Sequence, residues 1–454
     1  MMEQDAWSDQ EDAREEAYKY FMRVDPAMRK FLGPIETKED PVTGRPMRQR
    51  EAKIGMLRNT KPENLKDVIV YLDPHPHIRT DSAKDLQGWY SPKNITHPGM
   101  RPRPCFTDAI LTQPYGGYCP IGCGFCYINS GSRGYRGSGL MSVPLNYGAH
   151  VRKQLKQMNT SAAGYFSSFT DPFQSVENYY HNTQEGAQAF VDEGLPIFFL
   201  SRVNYPGWAY DMLQKNKYSY MQKSLNTPDE NDWRKLSPAA ATLAEHFDEI
   251  REARKRGIYV SIQVNPIIAG IVTHDDIDNL FELLAEAGVQ HVIIKYVEAN
   301  IPWSGAMVAK MTKKFGENRA AAFRDLFTEN SCGAQRTVAS EYRLEGIARH
   351  QKKATKLGLT FALCFEFDKG ADGQWRSIGK DWHTSEQCHG HAVPMYARPS
   401  PGQPFTPIEN CPPSGCLHCA EDNGGKPRCG SELLGQAKDL LLKDMKQPFT
   451  GHIS

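Results

Sequence analysis

No window of this chain approaches the ~18 consecutive apolar residues that a membrane-spanning helix needs, so such a span is excluded. The opening residues, MMEQDAWSDQEDAREE, are acidic and lack the apolar stretch of a secretory signal. The expected location is therefore the cytoplasm. An excess of one charge is missing too: 54 Lys and Arg stand against 53 Asp and Glu, a formal net charge of +1. That balance excludes a polycation that coats nucleic acid non-specifically, while a local basic groove stays compatible with it. No internal repeat is visible. With 454 residues the chain has room for one catalytic domain of roughly 200–250 residues and substantial additions.

Cysteine is present, but not in a disulfide pattern. Eleven is an odd count, the chain is no small secreted scaffold, and a reducing compartment disfavours bridges. Cys105, Cys332, Cys364 and Cys388 are scattered. The other seven form two clusters, Cys119/Cys123/Cys126 and Cys411/Cys416/Cys419/Cys429. Clustered thiols in such a protein point to metal.

Residues 1–107 read as a polar, irregular N-terminal extension that wraps the rest, with a short helix over 13–23 and a partly disordered start. From 108 to 300 short apolar runs alternate with amphipathic stretches. The runs cover 109–115, 162–169, 195–201, 218–226, 258–266 and 291–298. Within 275–287, Ile277, Leu280, Phe281 and Leu284 fall at helical spacing, with Thr273 as N-cap and Gly288 as stop. Stretch 239–256 is a second helix. Six strands with helices between them predict an α/β fold with a parallel sheet, either a partial (β/α)6 TIM-type barrel or a doubly wound sheet. Both gather chemistry at the carboxyl ends of the strands. From 301 to 454 the alternation weakens to a helix over 341–356 and a strand over 359–367. A Gly-, Pro-, Cys- and His-rich C-terminal domain follows, with too little apolar material to organise itself without a metal.

The central motif, GGYCPIGCGFCYINSGSRGYRGSG, carries Cys119, Cys123 and Cys126 at C-x3-C-x2-C spacing, with Phe125 before the third thiol. Three thiolates on one tight loop can face a cuboidal [4Fe–4S] cluster and leave its fourth iron open to a small chelating molecule. Gly122 and Gly124 let the backbone turn where a Cβ would crowd the cluster. A zinc knuckle short of a ligand is the competing reading of three cysteines alone.

With its preceding strand and its aromatic position, the motif resembles the signature of the radical S-adenosylmethionine (SAM) superfamily. The resemblance implies a partial barrel whose open iron holds the amino and carboxylate groups of SAM. In that family one electron cleaves the S–C5′ bond, and a 5′-deoxyadenosyl radical abstracts hydrogen from the substrate. The segment SSFTDPFQSVE resembles the spore photoproduct lyase branch, which implies that Ser168, Thr170 and Asp171 accept from the SAM ammonium. The competing reading makes Thr170 or Asp171 a helix cap. Arg202 in LSRVN stands where the lyase branch tends to carry lysine; it would clamp the SAM carboxylate, or form a surface ion pair. Ser224 and Asn226 in KSLN match strand-four positions that contact SAM. Gln263 and Asn265 are offered to the pocket if strand alternation turns them inward.

The C-terminal run CPPSGCLHCAEDNGGKPRC can close a second [4Fe–4S] cluster or a zinc site, or leave its thiols free; Cys388, His389 and His391 are further ligands in reserve. The lyase branch quenches its substrate radical with a cysteine and tyrosine support. That implies Cys364 or Cys105 as hydrogen donor, where the alternative is a small buried hydrophobe. Tyr127 is the supporting tyrosine or a cover for the cluster. Arg101, Arg103, Arg133 and Arg136 line a phosphate track or are solvated surface. The resemblance points to a radical SAM lyase or isomerase acting on a DNA base, thymine or a modified thymine, with a reductase or a flavodoxin- or ferredoxin-type electron donor. It resembles repair enzymes and phage thymine-hypermodification relatives equally. A radical SAM enzyme for peptide, RNA or metabolite, and a non-enzymatic iron–sulfur or zinc scaffold, are the alternatives.

Overall fold

The structure, a computed structural model, describes residues 31–54, 62–81, 83, 85–88, 109–126, 140–167, 169–331, 335–412, 415–436 and 440–453. The expected helix over 13–23 lies outside them, as do Cys105, Tyr127, Ser168, Cys332, Arg101, Arg103, Arg133 and Arg136.

Seven parallel strands form a curled half-barrel: β1 (Ala109–Leu111), β2 (Ala163–Phe166), β3 (Ile197–Ser201), β4 (Tyr220–Ser224), β5 (Tyr259–Ile267), β6 (His291–Tyr296) and β7 (Thr360–Leu363). They pair in chain order, each with the next. The six expected strands are all present. The seventh comes from the run read at 359–367; a 17-residue helix, Ser340–Lys356, brings the chain back to add it beside β6.

Local chemistry fixes these elements. Helix α1 (His274–Glu286) starts at Thr273, whose hydroxyl accepts from the Asp276 amide while the Asp276 carboxylate accepts from the Thr273 amide. Its Ile277, Leu280, Phe281 and Leu284 are fully buried in the main core. It stops at Gly288, whose φ of +89° suits a residue without a Cβ. Helix α2 (Leu243–Lys255) is capped the same way by Thr242 and Glu245 and packs on β5.

The helix-facing strand residues, among them Met221, Ile262 and Val292, share one core with the helices. On the other face Tyr165, Phe198 and Tyr220 stack, with ring centroids 4.4 Å apart in each successive pair. Further along that face Gln222 donates to Ser261 at 2.8 Å and accepts from Gln263 at 3.1 Å. The inner face thus changes from aromatic at the amino ends of the strands to polar toward the carboxyl ends.

The expectation of an irregular extension is corrected over 31–80, which is largely antiparallel sheet. Strands Glu36–Asp40, Arg45–Ile54, Lys66–Tyr71 and His77–Thr80 continue into Met141–Pro144 and Gly116–Gly117, on either side of the cysteine loop. Its charged, mostly exposed strands hide the period-two signal: Arg45–Ile54 buries only Met47, Ala52 and Ile54. This sheet is tied to the half-barrel by Arg79, which pairs with Asp40 at 2.6 Å and donates to the Tyr180 hydroxyl at 2.9 Å.

Candidate active site

The loop after β1 carries Cys119, Cys123 and Cys126, none in a disulfide, the first two buried and the third half-buried. Gly122 takes φ +71°, which a side chain rarely tolerates. At Gly124 a Cβ would come within 3.2 Å of Met311 Cε on helix α3 (Ile301–Phe315), so this glycine admits the close approach of that helix. Cys123 Sγ lies 3.3 Å from Ser237 Oγ. Burial pushes the Cys119 thiol well up, and Asp171, Cys123 and Cys126 add to that as neighbouring negative charges.

A cation faces these thiols. Arg202, just past β3, has its charge favoured by Cys123, Cys126, Asp171 and Cys119 against the burial that lowers its pKa. Its guanidinium lies 5.1 Å from the Phe125 ring and 5.3 Å from the Trp233 ring. It donates to Ser224 Oγ and the Asn265 carbonyl, each at 2.8 Å, and to Asn226 Oδ1. Four of the expected residues, Arg202, Ser224, Asn226 and Asp171, therefore meet at the carboxyl ends of β2–β5. The surface ion pair is not what Arg202 makes.

The Asp171 carboxylate accepts from the Arg202 amide at 2.7 Å, from Ser201 Oγ at 3.0 Å and from the Phe173 amide at 3.0 Å. The last bond closes a local turn and caps no helix, since the next helix, Glu177–Tyr180, has Val176 at its N-cap. Burial raises its pKa while these donors oppose the rise. Thr170 turns its hydroxyl to the Tyr115 carbonyl at 3.0 Å, bracing the loop that leads to Cys119. Asn226 donates to the Pro266 carbonyl at 2.5 Å, Gln263 lies on the inner side against Gln222, and of Asn265 it is the backbone carbonyl that meets Arg202.

Sequence reasoning missed three contributors. Ser201 and Ser237 are small polar residues beside named ones, with no signal of their own. Lys223 alternates away from Ser224 and is fully buried under α2, where it pairs with Glu249 and donates to the Val203 carbonyl at 2.8 Å. Burial lowers its pKa, opposed by Glu249. A buried cation of this kind is affordable only when paired, and the pair fixes the Val203 backbone next to Arg202.

Cys364 follows β7, and its amide donates to the Ile294 carbonyl at 2.8 Å. Ile293 pairs with Ala362, so the next inward positions are Lys295 and Cys364. Lys295 donates to the Phe365 carbonyl at 2.8 Å and lies 2.9 Å from Glu298. Burial disfavours its charge, but Glu298, Glu366 and Cys364 outweigh it and raise its pKa. Cys411, Cys416, Cys419 and Cys429 form a separate group that lines its own cavity.

Three unbridged thiols over the carboxyl rim of a parallel half-barrel, faced by a half-buried guanidinium, fit a cluster with an open iron better than a closed four-ligand site. No protein-family model matches the chain. It is 57% identical over 457 residues to the "Radical SAM Nalpha-GlyT isomerase" of Pseudomonas phage M6, covering 98% of this chain and 95% of that one. Among solved structures, spore photoproduct lyase complexed with dinucleoside spore photoproduct aligns at 14% identity and TM-score 0.43, over 56% of this chain and 76% of the other. Streptococcus suis SuiB bound to S-adenosylmethionine aligns at 14% identity and TM-score 0.35, over 54% and 48%. The chain belongs to the radical SAM enzymes. Its cofactors are accordingly a [4Fe–4S] cluster and SAM, its chemistry is of the lyase or isomerase type, and the scaffold alternative falls away. Among the described residues no helix is long and apolar enough to cross a membrane.

Proposed function

We propose that this enzyme isomerises a thymine that carries glycine through its α-nitrogen, presented in DNA. The observation that carries the reading is the 57% identity, along almost the whole length of both chains, to a phage protein named for that substrate. When bound, the cluster and SAM supply a radical that takes one hydrogen atom from the substrate. The residues of this chain do the rest.

Cys119, Cys123 and Cys126 hold the cluster. Arg202, beside them, would hold the SAM carboxylate, with Ser224 and Asn226 setting the plane of its guanidinium. Thr170, Asp171 and Ser168 shape the ammonium side. Cys364, beside Lys295 on the inner rim, would return a hydrogen atom to the rearranged substrate, one electron from the external donor and one proton then restoring the thiol from its thiyl radical; Tyr127 and Cys105 are the further candidates for that task. An isomerase must give back what it removes, so a donor on the rim suits the reaction. Arg101, Arg103, Arg133 and Arg136 would track the DNA phosphates. The C-terminal cysteines hold a second metal centre, iron–sulfur or zinc. The reaction runs in the cytoplasm, fed by a flavodoxin- or ferredoxin-type donor.

The test is anaerobic incubation of the reconstituted protein with SAM, dithionite and oligonucleotides containing either Nα-glycyl-thymine or plain thymine. A product of unchanged mass and altered retention, formed only from the glycylated strand, is expected. Turnover of a peptide, RNA or free metabolite, with the glycylated strand untouched, would replace the DNA reading.

A further inference from the structure

Two ion pairs stand side by side at the carboxyl ends of β6 and β7. Arg343 meets Glu366 at 3.0 Å, and both side chains are sealed, at 1% and 2% exposure. Lys295 meets Glu298 at 2.9 Å, and both stay open, at 14% and 16%. The open pair belongs to the inner side of the half-barrel. Gln263, turned inward to Gln222, pairs with Ile293, and Lys295 follows two residues further along the same face. Ile293 pairs in turn with Ala362, two residues before Cys364.

An ammonium has three N–H donors. That of Lys295 gives one to the Phe365 carbonyl at 2.8 Å and one to Glu298; among the described residues these are its hydrogen-bonding partners, so a third donor remains. Against burial, Glu298, Glu366 and Cys364 keep the ammonium charged. Glu298 has lone pairs to spare beyond the one that meets Lys295. Arg202 follows β3, three strand spacings or roughly 14 Å away along the sheet, so the two cations serve different ligands. The C-terminal cysteines stand at the other end of the strands, where Val393 of their cavity packs on Ala109, Ala163, Phe198 and Tyr220, and take no part here.

An open lysine–glutamate pair offers one charge of each sign to whatever lies over the rim. A ligand group that itself carries both signs meets it without leaving a charge uncompensated. A glycine joined through its nitrogen is such a group, with a carboxylate and a protonated amine two bonds apart. We infer that the Lys295–Glu298 pair receives the glycine substituent of the base, Lys295 binding its carboxylate and Glu298 its ammonium. The inference rests on the glycyl-thymine reading and names the residues that recognise the glycine.

The test compares three oligonucleotides by fluorescence anisotropy, with SAM bound to the full-length holoenzyme. One carries the glycyl acid, one its neutral amide, and one an ether with oxygen in place of the nitrogen. The amide and the ether should each bind at least about tenfold more weakly than the acid, the loss of one charge-assisted hydrogen bond. Lys295→Gln should bring acid and amide within about twofold and leave the ether weaker; Glu298→Gln should do the converse. The double variant leaves neither charge alone and should lose both differences, which covers a single variant that does not fold. An amide that binds the unaltered enzyme like the acid overturns the role of Lys295, and an ether that does so overturns that of Glu298. Equal losses for all three strands in a variant mark a structural pair and overturn both roles. In each of these cases the glycyl-thymine reading stands as long as the acid strand is isomerised. An acid strand that the unaltered enzyme leaves unchanged overturns that reading and this inference with it.

Discussion

Arg202 donates to Ser224 at 2.8 Å, so the end of the third strand is tied to the end of the fourth beneath the cysteine loop. The same guanidinium reaches Asn226 and the Asn265 carbonyl, which makes one side chain the common anchor of three strand ends. A planar fork suits this task, and the ammonium of lysine could not span it.

Arg202→Lys should therefore keep the charge and lose the geometry. We expect the KM for SAM to rise at least about tenfold, the loss of one to two charge-assisted hydrogen bonds, with the iron content unchanged. Rates of 5′-deoxyadenosine formation against SAM concentration check this. An unaltered KM would remove Arg202 from the SAM site.

Cys364→Ala should separate the two halves of the reaction. Formation of 5′-deoxyadenosine should stay within about twofold, while isomerised product falls by about 10²-fold, the lower range for losing a positioned proton or hydrogen donor. Chromatography of both products in one reaction reads the ratio. Equal losses of both would mean that Cys364 only packs the rim.

Arg343 is buried and donates to Glu366 at 3.0 Å, to the Phe367 carbonyl at 2.9 Å and to the Val338 carbonyl at 2.8 Å. It holds the turn after β7 that carries Cys364. Arg343→Met leaves Glu366 buried without this partner and should cost about 3–5 kcal/mol of stability. Denaturant midpoints measure it.

His77 is buried between the His75 carbonyl at 2.7 Å and the Tyr180 hydroxyl at 2.6 Å, and burial lowers its pKa from 6.5 to about 4. The unfolded chain binds this proton below pH 6.5 and the folded chain only below about 4. Stability attached to His77 is thus complete above pH 6.5 and is lost as pH falls to about 4, by about 3 kcal/mol. His77→Gln should flatten the acid side of the stability curve by that amount, read from urea midpoints between pH 4 and 7.

The half-barrel was legible because buried parallel strands are short apolar runs and their helices carry caps, as Thr273 and Gly288 show. The sheet over 31–80 was not, because its strands are charged and largely exposed on both faces, as Glu36–Asp40 and Arg45–Ile54 show, so too few apolar residues mark the alternation.

By itself the sequence determined the family, since three thiols and an aromatic residue at fixed spacing on one loop are a local property of the chain. Only the tertiary structure decided that Arg202 faces those thiols, that Lys223 faces away beside Ser224, and that the two cysteine groups lie at opposite ends of the strands. Those facts depend on which face each strand buries and on where a distant segment returns, and neither is written in the spacing of neighbouring residues.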